Sequence, residues 1–524
     1  MIGAVLLILA AAVAVALAQK LRLPAIPILV VTGAALAALP GVPTIHVDQP
    51  VPQLALAFLV FAVGLEFEPA RLSGQLRGAL RLGLSQFLAI GAVGVGLALL
   101  LGYTSLQAAY LGLGLAASST IIGVRSLVER GQIFEPLGRL ILGVLLVQDL
   151  LLILSTSTLA SIGEGIDAVL PELLSALVLF ALAWGVVRVI APRIARRLDN
   201  DPEVEILSAL AVLFAFIAIA WFLHLPYPVG AFLAGVSLAA FPAGGMIRAP
   251  ITPVAGFFSA VFFVSLGSSM EVPAGRDLVY AALALVVVMV GTPVVVVTAS
   301  RGLRVPRREA FEAGILLGQC GELTLVLAVL GRATGTLDSG LFSAISLVTV
   351  VSMMLTPLLV SDRLIWWLVG RFSPSRPTPL PAREGHVVML GCGRNSRMLL
   401  DLLRVSSPSV VVVDRDPGVV AALREHGIEA LCGEGAEEAM LDAVHARRAR
   451  AVVSTMRRQA DNLRMLRRLR GEGGPVVLVR VFDDHDATSL ERHGATVISE
   501  AEVAAAEVML VAPTIARAGA AAHS

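Results

Sequence analysis

Asp149 is the residue around which the chain makes chemical sense. It stands with Gln148 inside the apolar run GRLILGVLLVQDLLLIL, residues 138–154, which is long enough to cross a bilayer. A carboxylate at mid-membrane costs roughly 2.5–3.5 kcal/mol on insertion scales and is normally kept for ion or proton traffic. Two further apolar segments carry small and polar residues where a regular helix would not. LGLGLAASSTIIG (111–123) places Ser118, Ser119 and Thr120 at mid-membrane, and LLGQCGELTLVL (316–327) places Gln319 and a second carboxylate, Glu322, between glycines. Glu322 reads either as an ion-site acid or as a structural acceptor for freed backbone amides, since one carboxylate suffices for proton exchange. Glu66 and Glu68 read as interfacial residues at a helix end, and His224 likewise.

A second constellation lies near the C-terminus. GCGRNS (391–396) follows the apolar run HVVML and precedes a helical stretch, and Asp414 ends the next β run, 21 residues after Gly393. Strand, glycine turn, helix and acid in this order form a dinucleotide fingerprint. Glycines let the backbone approach phosphate, the helix N-terminus favours its charge, and the acid takes ribose hydroxyls. Ser396 replaces the third glycine. No covalent chemistry is implied, and no enzyme is expected.

The elements that must position these residues follow from hydropathy. The chain is 57% hydrophobic and 15% charged, with a mean hydropathy of +0.85, which excludes a wholly soluble protein of this size. Windows of about 20 residues mark thirteen helices near 2–18, 24–40, 52–67, 79–101, 106–124, 138–162, 170–191, 204–223, 227–241, 255–271, 278–299, 309–331 and 340–360. The first is read as retained rather than cleaved. Arginines gather in alternate loops, including Arg77 and Arg81, Arg125 and Arg130, and Arg301, Arg307 and Arg308; only Arg276 and Arg332 break the pattern. The positive-inside rule then puts the N-terminus outside and the C-terminus in the cytoplasm. The two interrupted segments lie seven crossings apart and so run antiparallel, which points to an inverted repeat whose unwound backbone faces a central ion site.

The membrane domain is expected over 1–367, a proline-rich linker over 368–385, an α/β domain with a doubly wound parallel sheet over 386–512, and a tail over 513–524. The fold class is thus a polytopic α-helical membrane protein joined to a Rossmann-like domain. Cys320, Cys392 and Cys432 form neither a disulfide framework nor a zinc pattern. A net charge of +1 gives no reason to expect nucleic acid.

GLEFEP, ASSTIIGVRSLVERGQIFEPLGRLILGVLLVQDLLLI, FFVSLGSSMEV and GQCGELTLVLAVLG together resemble the monovalent cation:proton antiporter family of the Kef type. The C-terminal part resembles the TrkA-N (RCK-type) domain that follows this transporter in many relatives. The resemblance implies that Asp149 binds the ion and exchanges the proton, with Gln148 its neighbour. Ser118, Ser119 and Thr120 then form the unwound segment beside it, and Glu322 the acid of the second broken helix. K⁺ or Na⁺ would sit at Asp149, and the Gln-Asp pair is similar to that of potassium exchangers. Gly391, Gly393, Arg394, Asn395, Ser396, Asp414 and Arg415 match nucleotide-contacting positions, for NAD(H) or AMP acting as regulator rather than redox cofactor. A homodimer in a bacterial inner membrane is implied, with an ancillary cytoplasmic regulator. Two departures stand out: helix 278–299 lacks the lysine many relatives carry, which favours electroneutral exchange, and the acidic loop of glutathione-gated systems is not evident.

Two rivals remain at this stage. A nucleotide-gated potassium channel would need a carbonyl filter of the TVGYG kind, and thirteen crossings exceed a simple pore. A membrane oxidoreductase would need a second catalytic domain or electron carriers, and no such ligand pattern is visible. In the favoured mechanism a proton or a dehydrated cation occupies Asp149, never both, and rocking of the two halves exposes the site alternately.

Overall fold

The computed structural model describes residues 2–21, 23–40, 49–66, 75–164, 166–185, 202–239, 244–303, 305–372, 377–393, 396–407, 409–471, 473–481 and 484–499. The chain divides into two compact units, Met1–Ile365 and Trp366–Ser524.

The described residues of the first unit form helices joined by turns and short extended segments. In chain order its helices are α1 (Ile2–Leu21), α2 (Ala25–Ala37), α3 (Pro50–Glu66), α4 (Leu76–Leu100), α5 (Ser105–Ala116), α6 (Thr120–Glu129), α7 (Pro136–Glu164), α8 (Ile166–Gly185) and α9 (Pro202–Phe222). There follow α10 (Tyr227–Ala239), α11 (Gly244–Ser268), α12 (Gly275–Val286), α13 (Thr292–Ser300), α14 (Arg307–Leu317), α15 (Glu322–Ala333) and α16 (Ser339–Leu359), and the chain passes from the first unit to the second within α17 (Asp362–Phe372). Each of the thirteen expected segments falls on one of these helices or on a pair of them. Among the described residues, eight helical stretches are long and apolar enough to cross a membrane, and four apolar helices are shorter.

Membrane helices gain little from burying one apolar surface against another, because lipid is as apolar as leucine. Close packing of small residues replaces that gain. On α4 the large exposed side chains Leu80, Leu84, Leu88 and Val93 turn outward, while Gly91 and Gly94 turn inward. A Cβ on Gly112 of α5 would come within 2.7 Å of the Gly91 carbonyl and 2.7 Å of the Val95 amide, so α4 and α5 touch backbone to backbone. The same happens between α3 and α10, where a Cβ on Gly235 would lie 2.3 Å from the Phe61 carbonyl. Gly235→Leu therefore has no place for its side chain and is expected to abolish recovery of folded protein, read as a monodisperse peak after detergent extraction; a normal peak would refute that packing.

Helices α12 and α13 are one rod joined by a π turn over Val287–Gly291, in which the Thr292 amide bonds the Val287 carbonyl. Pro293 follows immediately and has no N–H to give the carbonyl four residues back, so the ladder slips by one there. Helix α14 packs close to this proline: a Cβ on Gly314 would meet Pro293 Cα at 2.8 Å. Arg276 and Arg332, the exceptions to the arginine pattern, are held locally. Arg276 lies 4.0 Å from the Tyr103 ring centroid and donates to the Gly102 carbonyl, and Arg332 donates to the Ser269 carbonyl.

Helix α17 was not anticipated: the last expected crossing ends at 360, and the expected linker begins at 368, within this helix. Ile365, Trp366 and Val369 are buried while Arg363, Trp367, Arg371 and Phe372 are exposed, an amphipathic pattern shorter than a crossing.

Among the described residues of the second unit six parallel strands form one sheet in the order β3-β2-β1-β4-β5-β6, the doubly wound arrangement expected. The strands are β1 (Val387–Leu390), β2 (Val410–Asp414), β3 (Glu429–Cys432), β4 (Ala451–Ser454), β5 (Val476–Val481) and β6 (Thr496–Ser499). Helices α18 (Arg397–Ser406), α19 (Pro417–Glu425), α20 (Glu438–Ala443), α21 (Gln459–Leu469) and α22 (Asp484–Glu491) alternate with them. Strands β1, β2 and β4 are nearly continuous valine and leucine runs because both faces are covered. Strand β6 was missed: TVIS is short, half exposed and sits at the sheet edge. Part of the expected linker is also not free chain. The Leu380 amide bonds the Ala443 carbonyl at 3.0 Å, and Arg383 grips Glu429 with two bonds of 2.7 and 2.8 Å.

Candidate functional site

Both interrupted segments are broken helices, and their breaks cross. Helix α5 ends at Ala116, Ala117 is extended, and Ser119 caps α6 with its hydroxyl accepting from the Ile122 amide. Helix α14 ends at Leu317, capped by Gly318, and α15 starts after the extended Gly321. The Gly321 amide bonds the Ala117 carbonyl at 2.9 Å, and a Cβ on Gly321 would lie 3.0 Å from the Ser118 carbonyl. Only a residue without a side chain lets the two backbones pass at this distance. Freed backbone groups must be satisfied inside a membrane, and here polar side chains take them. Gln86 donates to the Ala116 carbonyl, Thr324 to Gly114, Ser118 to Leu317, and Ser352 accepts from the Cys320 amide.

Onto this crossing α7 brings Gln148 and Asp149, which are 0% and 3% exposed. Gln148 Oε1 accepts from the Ser118 amide at 3.0 Å. Thr120 donates its hydroxyl to Asp149 Oδ2 at 2.7 Å, and Ser119 donates to Glu322 Oε2 at 2.7 Å. All six residues singled out in the sequence therefore lie in one buried cluster, and the N-termini of α6 and α15 begin within it. Two oxygens there, Glu322 Oε1 and Gln319 Oε1, and one donor, Gln148 Nε2, are buried without a hydrogen-bond partner. Buried polar atoms left unpaired are costly, so unpaired oxygens beside an intramembrane carboxylate fit a cation ligand.

Glu66 is not simply interfacial, as the sequence suggested. It is half-buried at the end of α3 and lines a cavity of about 330 Å³ together with Arg125 and Glu322. Its place at a helix end hid this, because the cavity is made by distant helices. Glu68 lies outside the described residues.

A second buried cluster was also missed. Arg130 caps the end of α6, Arg308 and Glu312 stand on α14, and Asp362 opens α17. Arg130 Nε meets Glu312 Oε1 at 3.0 Å and Nη2 meets Asp362 Oδ1 at 2.8 Å. Arg308 Nη1 lies 3.5 Å from Glu312 Oε2, and Nη2 pairs with Asp362. Arg308 is 2% and Glu312 0% exposed. The i, i+4 spacing of Arg308 and Glu312 was the one available signal, and the arginine was read as a loop charge.

In the second unit Gly391 ends β1 with φ +86°, and a Cβ there would strike Thr455 Oγ1 at 2.8 Å. Thr455, just past β4, donates to the Gly391 carbonyl at 3.0 Å. Strands β1 and β4 are neighbours where the strand order reverses, the place where such sheets bind ligands. Thr455 was not singled out because that adjacency exists only in the folded sheet. Among the described residues a Cβ on Gly393 would meet nothing within 4 Å, and a helix N-terminus beside such a glycine is the kind of place that can take an anion. Asp414 Oδ2 accepts from the Cys392 amide at 2.5 Å and Oδ1 from the Asp416 amide at 2.9 Å, so the acid braces the glycine turn. Ser396 precedes α18 without capping it through its side chain. The Arg415 carbonyl faces the Cys432 thiol at 3.8 Å. Arg394 and Asn395 lie outside the described residues.

Burial, and then the Asp414 carboxylate, push the Cys392 thiol up to about 11. At pH 8 its thiolate is then on the order of one part in a thousand, and the thiolate is the nucleophile. Cys392 is buried and Cys432 exposed, so iodoacetamide is expected to label Cys432 first, with Cys392 following only on denaturation; peptide mass mapping reads the order, and prior labelling of Cys392 would contradict it.

The transmembrane sodium/hydrogen exchanger family matches residues 6–362, and the TrkA-N domain matches residues 387–500. The chain belongs to the sodium/hydrogen exchanger family. Two relatives are the glutathione-regulated potassium-efflux system proteins KefC of Enterobacter sp. (strain 638) and of Cronobacter sakazakii (strain ATCC BAA-894). They are 27% and 28% identical to this exchanger over 424 and 430 residues, each alignment covering 79% of this chain and 68% of the relative. The sodium–proton antiporter MjNhaP1 of Methanocaldococcus jannaschii superposes with a TM-score of 0.56 at 16% identity, covering 70% of this exchanger and 97% of that chain, a likeness of fold. The exchanger is thus a multi-pass cation:proton antiporter carrying a TrkA-N domain. Its Kef-type resemblance, and the expected pairing of a helical membrane fold with a Rossmann-like domain, hold.

Proposed function

We propose that the exchanger carries K⁺ against H⁺ by competition at Asp149, with Ser118, Ser119, Thr120, Gln148 and Glu322 forming its surroundings. The observation that carries this reading is the Thr120–Asp149 hydrogen bond at the crossing of the two breaks. It supports a single carboxylate, sealed from lipid, where a proton and a cation exclude each other. K⁺ is favoured over Na⁺ by the Gln148–Asp149 pair and by the potassium efflux named for the two relatives. The exchanger sits in a bacterial inner membrane as a homodimer with its N-terminus outside and its TrkA-N domain in the cytoplasm, where an ancillary regulator can reach it. In inverted vesicles holding a pH gradient, K⁺ is expected to dissipate the gradient. A response to Na⁺ alone would keep the mechanism and change the ion, and no cation-dependent proton movement would overturn antiport.

The second half of the reading is regulation by NAD(H) or AMP bound at the turn formed by Gly391 and Gly393, with Asp414, Arg415 and Ser396 around it and Arg394 and Asn395 assigned from the family resemblance alone. The open space over Gly393 and the start of α18 support a phosphate there. Gly393→Val adds its side chain into that space without meeting the rest of the fold. It is expected to weaken nucleotide binding at least tenfold by calorimetry on the full chain and to remove ligand-dependent change in transport. Unaltered binding would sink this half of the reading.

A further inference from the structure

Between Ala446 and Gly471 the chain carries nine arginines and one acid, Asp461, although the net charge of the whole chain is only +1. The fold gathers part of this excess on one edge of the second unit. Arg447, Arg448 and Arg450 lie in the turn that leads into β4, and Arg467 and Arg470 stand at the end of α21, before β5. Arg447 joins the two stretches, its Nε and Nη2 donating to the Arg468 carbonyl at 2.9 and 2.6 Å. All five are exposed, whereas Asp461 is buried. Strands β1, β4 and β5 are parallel, so the edge where they start is opposite the one where β1 ends in the glycine turn. These arginines therefore do not serve the candidate nucleotide site.

An independent feature adjoins this edge. The Arg464 guanidinium lies 4.7 Å from the Trp366 ring centroid, and Arg464 stands one turn before Arg467 on α21. This contact seats α17, from Trp366 onward, on the second unit to which that part belongs. Its outer face shows Trp367 at 59% and Phe372 at 63% exposure. The two rings meet edge to face at 6.4 Å, and Arg371 lies 5.6 Å from the Phe372 ring. Open aromatic rings interleaved with arginine are the composition of a helix face that lies at the level of lipid headgroups. Chain continuity agrees, because α17 begins two residues after α16, which is long and apolar enough to cross a membrane.

We propose that this face of the second unit, the open rings of α17 with the arginine edge beside them, docks on the headgroup layer of the membrane and recognises anionic phospholipid there. The rings enter the layer, and the guanidinium forks take phosphate oxygens two at a time. Each arginine near an anionic surface strengthens association by about fivefold, so the edge separates anionic from neutral lipid. The proposal rests on the cytoplasmic placement of the second unit and goes beyond it, making lipid composition a determinant of where the regulatory domain lies.

The test uses the full chain in vesicles of phosphatidylcholine, with and without phosphatidylglycerol. Among the described residues a Cβ on Gly471, next to Arg470, would meet nothing within 4 Å, so Gly471→Cys can carry an environment-sensitive fluorophore. Cys432→Ser removes the exposed thiol, and Cys320 and Cys392 are buried. With the label attached in detergent before reconstitution, the emission is expected to shift to the blue in phosphatidylglycerol vesicles and not in phosphatidylcholine alone. At 1 M KCl, where the screening length falls to about 3 Å, the shift is expected to vanish. Replacing the exposed Arg448, Arg450 and Arg467 together by glutamine is expected to abolish it with melting in neutral detergent unchanged; salt reversal on the unsubstituted edge makes the same test without touching the fold. No lipid-dependent shift overturns the proposal. So does an equal shift in neutral vesicles, or one produced there by inorganic phosphate, which would mark an unselective anion site. The readout needs no transport. Docking without cation-dependent proton movement overturns the exchanger reading alone, and a working exchanger without the shift overturns only this proposal.

Discussion

Asp149→Asn is expected to bring K⁺-driven proton flux down to the level of vesicles without the protein. Asparagine has the shape of aspartate and keeps an oxygen that accepts the Thr120 hydroxyl, so packing around α7 changes little. What it loses is the charge that balances a cation and the oxygen that takes a proton. Extracted Asp149→Asn protein should therefore melt close to wild type, separating lost exchange from lost fold. Thr120→Val keeps shape and removes the hydroxyl, leaving Asp149 Oδ2 without its donor. Losing a hydrogen bond to a charged group costs about 1.5–3 kcal/mol, so a cation affinity change of about tenfold or more is expected, with exchange retained. Asp149→Asn transporting at half the wild-type rate would move the exchanging group to Glu322, and Glu322→Gln would then carry the total loss.

Glu312→Ala is expected to cost much of the stability of the membrane unit without changing its packing by bulk. Glu312 is 0% exposed and faces Arg130 at 3.0 Å and Arg308 at 3.5 Å. Removing it leaves two guanidinium groups sharing Asp362, itself one-third exposed. Breaking a buried pair from one side costs about 3–5 kcal/mol because an uncompensated charge stays behind. Replacing Arg308 and Glu312 together by leucine removes both charges, leaves the Arg130–Asp362 pair at 2.8 Å, and should recover more than half of the loss. Thermal unfolding in detergent measures both. A double variant no better than Glu312→Ala would show that shape rather than charge governs the site.

Much of the membrane unit was legible because its signals are local. Long apolar runs mark helices whatever they pack against, and Ser118, Ser119 and Thr120, like Gly318 and Gly321, announce breaks by their own side chains. The resemblance to exchangers rests on the same stretches. The Rossmann-like domain declared itself through strand–helix alternation and the Gly391–Asp414 spacing. What escaped was relational. Glu66 looks like any acid at a helix end until α2, α6 and α11 close a cavity over it. Arg308 looks like a loop cation until Arg130 and Asp362, far apart in sequence, meet its helix. Thr455 has no motif of its own and matters because β4 lies beside β1. Strand β6 was lost for the opposite reason, being too short and too exposed to raise a hydrophobic signal.

The hydroxyl of Thr120 gives its hydrogen to Asp149. Such a group can serve either passenger. Pointing its hydrogen at a bare carboxylate, it leaves oxygen free for a metal ion; turned about one bond, it receives the hydrogen of a protonated acid. Rotations of this size take picoseconds to nanoseconds, whereas collective movements of helices take microseconds to milliseconds. In the exchange proposed here the swap of one passenger for another is therefore over long before the bundle shifts. Turnover should be paced by the scaffold, so that stiffening the crossing would slow the exchanger while leaving its preference among ions intact.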